Sequence, residues 1–480
     1  MQGRNRGIRA IFDGVDMVAV LLYVLLVAAG CMCIVAASYS DETADMFSMS
    51  HFYMKQILWV AVAMAAALVV LLLDARYYHM FAYPAYIAGL LFLIIPLFMQ
   101  AETNGAKAWI KLGTSFKIQP IEFAKIATAL AVARAMSAYS FSIARFGNLM
   151  KIAMIIGLPL LIVILQNDTG SGIVLGSFLF VFYREGLNNW LCIPVLAVAA
   201  LFIFSLLLTP LTMLILLILL CVVCDAKMNG EWVNHIKYTA VLALTSIVLH
   251  VAVRLFTPWE LSMYASLLTV TGISLVAVTV YAYRAALTNT YIMLLLFVGA
   301  MIFLPSTNML FDKLKEHQQN RIKSFLGIID DPVKLDYNVN QSKIAIGSGR
   351  VIGKGFLEGT QVKYSFVPEK HTDFIFCTVG EEQGFIGCMA VLTIFCLLIL
   401  RLMRMGDRQV EAFGRIYCYS VAAILLFHIM VNVGMTIGLM PVMGIPLPLI
   451  SYGGSSLIAF TILIFIAIRL DAATRQDSIS

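Results

Sequence analysis

Apolar runs long enough to cross a bilayer recur along this whole chain, and nothing else in the sequence narrows its fold as much. A helix needs about 20 apolar residues to span the hydrocarbon, and a segment in lipid must satisfy its own backbone hydrogen bonds. Candidate spans fall near residues 17–37, 54–73, 80–99, 120–137, 150–166, 171–185, 190–208, 211–225, 237–256, 262–282, 290–305, 385–402, 413–438 and 449–469. The expected fold class is therefore all-α, a polytopic helical membrane protein with about 14 transmembrane helices. Composition closes off the alternatives. With 61% hydrophobic and 12% charged residues the chain is too apolar for a soluble domain. Its net charge of +6 comes from basic residues scattered at helix ends, which argues against a nucleic-acid partner.

The opening stretch MQGRNRGIRAIFDGVD is basic like the start of a signal peptide, but the apolar run after it continues to about Ala37 and reads as a signal anchor. The nine cysteines lie mostly in apolar stretches and read as small core hydrophobes. Cys221 and Cys224 form a CxxC with no second pair nearby, which argues against a metal site. The Lys/Arg bias sets orientation. Placing Arg4, Arg6 and Arg9 in the cytoplasm puts Arg76, Arg134, Arg145, Arg184, Arg401 and Arg408 there as well. The other side receives SYSDETADMFSMS and QNDTGS, which lack Lys and Arg, with Lys107, Lys111, Lys117 and Arg254 as exceptions. Both termini are then expected to be cytoplasmic, and residues 306–384 to form a large extracytoplasmic loop.

That loop contains SFLGIIDDPVKLDYNVNQSKIAIGSG, Ser324 to Gly349. Ser306 to Gln383 carries ten Lys/Arg and ten Asp/Glu, so its charge is balanced and a simple electrostatic tether is disfavoured. Loops of such length are usually functional. The run AIGSGRVIGKGFLEGT spaces Gly347, Gly349, Gly353, Gly355 and Gly359 closely. Such spacing suits either a flexible connector or a cradle of backbone N–H groups around an anion. VPEKHTDFIF places Glu369, Lys370, His371, Thr372 and Asp373 before the next span, as a solvated rim or as part of a site.

Three further stretches put polar groups at the same ends of helices. GAKAWIKLGTSFKIQPIEFAK has Gln119-Pro120 at a helix start and sets Glu122 and Lys125 at i, i+3 on one face. Pairing offsets an insertion cost of roughly 2.5–3.5 kcal/mol per charge, and such a pair is either structural or functional. QNDTGSG sets Asp168 at a similar depth, where helix capping is the simplest role. GIPLPLISYGGSS, Gly444 to Ser456 and including Ser455, is broken by Pro and Gly. Such a segment is tolerated at membrane depth only where protein buries it or where it lines a wet cavity.

In this order, GAKAWIKLG…QPIEFAK, QNDTGSG, DDPVKLDYNVNQSKIAIGSG, GKGFLEGTQ…FVPEKHTDFIF…GEEQGFIG and GIPLPLISYGGSS resemble the successive signatures of the shape, elongation, division and sporulation (SEDS) family. The GTQ of Gly359 to Gln361 resembles its RodA-like branch. The resemblance implies a ten-helix core, here with about four helices added. The expected organisation is core helices in 1–187, inserted helices in 188–290, a core helix in 291–305, the catalytic loop in 306–384 and core helices in 385–480. It also implies a peptidoglycan glycosyltransferase of the bacterial cytoplasmic membrane. Such an enzyme polymerises lipid II during cell elongation and cell-shape maintenance, beside a class B penicillin-binding protein, a transpeptidase that cross-links the product.

Residue by residue, the family's catalytic aspartate falls on Asp331, directly before Pro332, rather than on Asp330, and its functional Glu and Lys fall on Glu122 and Lys125. The chain departs from the pattern with Ala108 for an Arg, Ile121 for a Ser and Asn167 for a Pro. The first removes a cationic contact that Lys107 or Lys111 could replace.

The implied reaction is an inverting glycosyl transfer, in which a sugar hydroxyl attacks an anomeric carbon and a lipid pyrophosphate leaves. The hydroxyl needs a carboxylate as general base, the expected role of Asp331. The leaving group needs cations, for which Lys125, Lys343 and Lys111 are candidates. Gln341 and Ser342 are expected to shape the cavity, with His371, Asp373 and Ser455 also facing substrate. No cofactor is required by the sequence, and a divalent cation is compatible with the chemistry although no ligand cluster demands one. Two rivals stand beside this reading: a flippase of a lipid-linked cell-wall precursor, which accounts equally well for many helices and intramembrane charges, and a non-catalytic scaffold.

Overall fold

The computed structural model describes residues 14–38, 52–99, 106–112, 116–139, 141–143, 145–187, 200–229, 232–256, 262–284, 288–314, 316–328 and 337–479. The chain forms two compact units, Met1–Asn189 with Asp330–Ser480, and Trp190–Ile329.

The first unit begins with α1 (Met17–Ser38), α2 (Phe52–Leu72), the short α3 (Ala75–Met80) and α4 (Ala82–Phe98). A two-stranded antiparallel hairpin follows, β1 (Ile110–Leu112) and β2 (Phe116–Ile118), and leads into α5 (Pro120–Met136). Next come α6 (Phe146–Leu165), α7 (Thr169–Val174) and α8 (Phe178–Arg184). The second unit holds α9 (Pro210–Asn229), α10 (Trp232–Phe256), α11 (Met263–Arg284), α12 (Thr288–Asp312) and α13 (Glu316–Phe325). The chain then returns to the first unit with α14 (Tyr337–Ser348), α15 (Thr360–Lys363), α16 (Ile375–Asp407), α17 (Ala412–Thr436) and α18 (Gly454–Ile479).

The polytopic helical architecture is as the apolar runs require. Among the described residues nine helices are long and apolar enough to cross a membrane: α1, α2, α6, α9, α10, α11, α16, α17 and α18. The expected spans near 80–99 and 171–185 correspond to shorter apolar helices, Ala82–Phe98 and Gly170–Arg184. Much of the expected span at 190–208 lies outside the described residues.

The segment between the apolar runs, residues 306–384, carries short helices of its own where described: α12 continues to Asp312, α13 to α15 follow, and α16 starts at Ile375, ahead of the apolar run expected at 385–402. Gly384, with φ +66°, breaks the helix between Glu382 and the apolar stretch that follows. A left-handed residue favours glycine, which has no Cβ to clash.

One end of the first unit is held by ions. Asp16 accepts from Arg401 Nε (3.0 and 2.8 Å), Arg408 (2.8 Å) and Arg475 (2.8 Å), and its other partner is the Ala19 amide at the start of α1 (3.1 Å). Arg408 and Arg475 also engage Asp471 of α18. The start of α1 is thereby fixed to the ends of α16 and α18. Nearby, Arg184 pairs with Asp407 (2.9 Å), and Arg415 with Glu185 (2.9 Å). Burial pushes the Asp16 carboxyl up, but the hydrogen bonds from Arg401 and Arg408 outweigh it and hold the group at about 2, below its ordinary 3.8. A lowered carboxyl pKa gives stability that is full above the unfolded value and lost as pH falls through the folded one. The wild-type protein in detergent should therefore have a higher melting temperature than Asp16→Asn at pH 5, and the gap should close as pH falls from about 4 to 2. A gap that persists at pH 2 would show that Asp16 acts by shape rather than charge.

In the second unit, Leu214, Leu217, Leu267 and Phe297 pack α9, α11 and α12 together. Asp225 of α9 accepts from Thr290 of α12 (3.0 Å) and lies 2.6 Å from His235 Nε2 of α10, so a single carboxylate joins three helices. Cys221 and Cys224 are free thiols.

Candidate active site

The end of the first unit opposite the ion cluster gathers the polar residues picked out by the sequence. Pro120 starts α5 at a position whose missing N–H costs nothing, and Glu122 falls in the first turn, where a negative charge faces the helix dipole favourably. Gln119, just before, donates through Nε2 to Asp168 Oδ2 (3.0 Å) and Ser171 Oγ (3.2 Å), and its own amide faces Ser455 Oγ at 3.5 Å. Asp168 also caps α7 by accepting from the Ser171 amide (3.3 Å), the capping role expected of it. The starts of α5, α7 and α18 thus meet at Gln119.

One turn into α5, Lys125 Nζ lies 2.9 Å from Glu122 Oε1 and 2.8 Å from Oε2. Both side chains are only 3% exposed. The pair is therefore inside the protein. Lys125 has two further neighbours, His428 Nε2 at 2.8 Å and the face of Phe460, whose centroid is 5.1 Å away.

His428 is the first of three polar residues on α17 that the sequence reading passed over. His428, Asn432 and Thr436 recur every fourth position, hence on one face. His428 and Asn432 hold other elements through their side chains, whereas Thr436 does so only through its backbone carbonyl, its hydroxyl turning back to the Val433 carbonyl (2.8 Å). His428 meets Lys125 of α5; Asn432 Nδ2 donates to the carbonyls of Asp373 (2.8 Å) and Ile445 (2.8 Å); and the Thr436 carbonyl accepts from Ser342 Oγ of α14 (2.9 Å). The signal was available, since polar groups at four-residue spacing inside an apolar span mark a face turned to protein rather than lipid.

The Pro/Gly-broken segment between α17 and α18 is buried in protein. Ile445, Leu447, Leu449 and Ile450 are all buried. Ser451 Oγ accepts from the Leu447 amide (2.8 Å) and donates to the Thr372 carbonyl (2.6 Å), and the Tyr452 amide donates to the His371 carbonyl (2.8 Å). Residues 371–373 are thereby stitched to the broken segment and to α17. The His371 ring stacks on Phe52 at 4.7 Å. Burial, with the Lys370 charge beside it, pushes His371 down to about 4, so it brings no positive charge to the site near neutral pH.

The glycine-rich run packs against two carboxylates of the protein itself, held chiefly by side chains of the run and by the amides just beyond it. Glu381, fully buried, accepts from the amides of Gln361 (2.9 Å) and Val362 (2.9 Å), and from Lys354 Nζ (2.6 Å) and Thr360 Oγ1 (3.3 Å). Glu382 accepts from the Leu357 amide (3.1 Å). The Lys354 and Gly355 amides donate to the carbonyls of Glu381 and Glu382 (3.0 Å each). Glycine is required where the two strands of chain touch. A Cβ on Gly353, which has φ +90°, would overlap the Glu382 carbonyl, and one on Gly349 would overlap that of Gly380.

The remaining candidates are less central. Lys111 is exposed on β1, opposite Lys117. Lys343 is exposed on α14, its side-chain end lying against Gly438. Gln341 is half-buried on the same helix. Ala108, at the family's arginine position, is buried, while Lys107 is half-buried beside it. Asp331 and Asp330 lie outside the described residues.

Comparison with known proteins places the chain in a family. The FtsW/RodA/SpoVE family of cell cycle proteins matches over residues 16–216 and 213–476. The chain is 31% identical over 475 residues to the peptidoglycan glycosyltransferase RodA of Treponema pallidum, covering 98% of this chain and 99% of that one. It is 45% identical over 145 residues to the peptidoglycan glycosyltransferase MrdB of Escherichia coli, covering 30% and 39%. The fold is shared with a chain from a peptidoglycan synthase complex that coordinates polymerisation and crosslinking (TM-score 0.59, 22% identity, 96% and 99% covered). It is also shared with Thermus thermophilus RodA (TM-score 0.54, 21% identity, 95% and 96% covered). With the family matched along almost its whole length, this chain belongs to the FtsW/RodA/SpoVE proteins, the SEDS family, and is RodA-like.

Proposed function

We propose that this protein is a peptidoglycan glycosyltransferase that polymerises lipid II into glycan strands during cell elongation and cell-shape maintenance, with Asp331 as general base. The observation that carries the reading is the similarity to the T. pallidum glycosyltransferase over 99% of that enzyme's length, which favours it over a flippase. Asp331 takes a proton from the attacking sugar hydroxyl as the bond to the anomeric carbon forms, and the pyrophosphate departs with the bonding electrons. A fixed positive charge near that departing group lowers the barrier. Lys125 is the candidate, acting with Glu122. Its ammonium is enclosed by Glu122 and His428, so it acts on the departing group as a fixed charge through space rather than by direct contact. Lys111 and Lys343 are exposed and are proposed to meet substrate from the surface, with Gln341, Ser342, His371, Asp373 and Ser455 shaping the cavity.

The site end is proposed to face outward and the Asp16 cluster to face the cytoplasm, in the bacterial cytoplasmic membrane. This follows the Lys/Arg bias, because Arg184, Arg401, Arg408 and Arg415 gather at the Asp16 end. A class B penicillin-binding protein is the proposed partner, in keeping with the synthase complex whose fold is shared. The test is reconstitution in liposomes with labelled lipid II. Glycan strands are the expected product. Lipid moved across the bilayer without polymerisation would establish the flippase instead.

A further inference from the structure

We infer that His428 is a positioning residue for Lys125, fixing where its charge sits in the site; this rests on the proposed role of Lys125 in polymerisation. His428 is 1% exposed, and its Nε2 is 2.8 Å from the Lys125 ammonium. An ammonium has donors and no acceptor, so Nε2 must accept, which leaves the ring neutral with its proton on Nδ1. Nδ1 faces the Pro446 carbonyl at 3.3 Å, the acceptor that this tautomer needs. Phe460 completes the enclosure, meeting the imidazole edge to face at 4.9 Å while its face lies beneath the ammonium.

The arrangement exceeds what charge neutralisation requires. Glu122 already balances Lys125, and an acceptor from a second helix adds direction rather than charge. That acceptor is itself oriented from the broken segment 441–453, which Asn432 and Ser451 join to residues 371–373. A shift of that segment would turn the imidazole and move the ammonium. His428 therefore conveys the position of the outer segments to a charge buried one helix away. Without it, Lys125 keeps its charge and its carboxylate partner but loses its fixed direction.

The test compares His428→Leu, which removes the acceptor at similar volume, with His428→Gln, whose amide oxygen can accept. Polymerisation of labelled lipid II is measured per folded molecule, folded fraction coming from thermal melts. Loss of one hydrogen bond to a charged group predicts a kcat lower by roughly 10- to 100-fold for His428→Leu with KM little changed, and a loss of about threefold or less for His428→Gln. Equal losses in both variants, or a His428→Leu kcat within about twofold of wild type per folded molecule, would overturn the inference. A second measurement does not depend on activity. The ¹⁵N spectrum of histidine-labelled protein in detergent should show His428 neutral and protonated on Nδ1, with a shift that changes in Glu122→Gln/Lys125→Met; a doubly protonated His428 would overturn the positioning role. Wild-type protein that makes no glycan while showing the Nδ1 tautomer would refute the glycosyltransferase reading and leave the Lys125 contact intact.

Discussion

Asp331→Asn should abolish glycan polymerisation while leaving membrane insertion and folding unchanged. The substitution keeps the size of the side chain and much of its hydrogen bonding but removes the base. General-base catalysis is worth roughly 10²- to 10⁴-fold, so a loss of that order is expected in a labelled lipid II assay. Asp330→Asn changes the same local charge one position away and should retain substantial activity. Equal losses at the two positions would mean that the segment needs negative charge rather than a positioned base. Polymerisation at the wild-type rate by Asp331→Asn would remove it from the mechanism.

The second large effect concerns the pair inside α5. Lys125→Met strands the Glu122 carboxylate, which is 3% exposed and has its lysine partner at 2.8 Å. Removing one member of a buried pair typically costs about 3–5 kcal/mol, because the other is left uncompensated. The single variant should therefore lose activity and stability together, which by itself does not separate the two roles. Glu122→Gln/Lys125→Met does, since two neutral side chains of similar volume fill the same space at little cost. It should melt near the wild-type temperature and still fail to polymerise lipid II. If it both melts and polymerises like wild type, the pair is structural.

The distance over which a feature acts decided how legible it was in the sequence. The Glu122–Lys125 pair was readable because three residues on a helix place two side chains on one face, and the capping role of Asp168 because a cap reaches only to the next turn. His428 was not, because its partner lies 303 residues away and no local pattern names it. The glycines of residues 347–359 allowed a connector or an anion cradle. The structure packs the run against Glu381 and Glu382, with the Leu357 amide on Glu382 and the amides just beyond the run on Glu381. The polarity of residues 306–384 reports solvation, which a polar helix and an irregular segment share, so the short helices within it were not legible.

By itself the sequence determined that this protein is a bundle of membrane helices, since an apolar segment in lipid can satisfy its backbone only within itself and needs no knowledge of its neighbours. Its ordered motifs also carried the family. Only the tertiary structure decided which polar groups meet: that α17 turns His428 toward Lys125 and Asn432 toward residues 373 and 445, and that the core of the broken segment before α18 is buried with its backbone paired. A buried polar group must find a partner, but the sequence states only that need, and the folded chain alone supplies the partner.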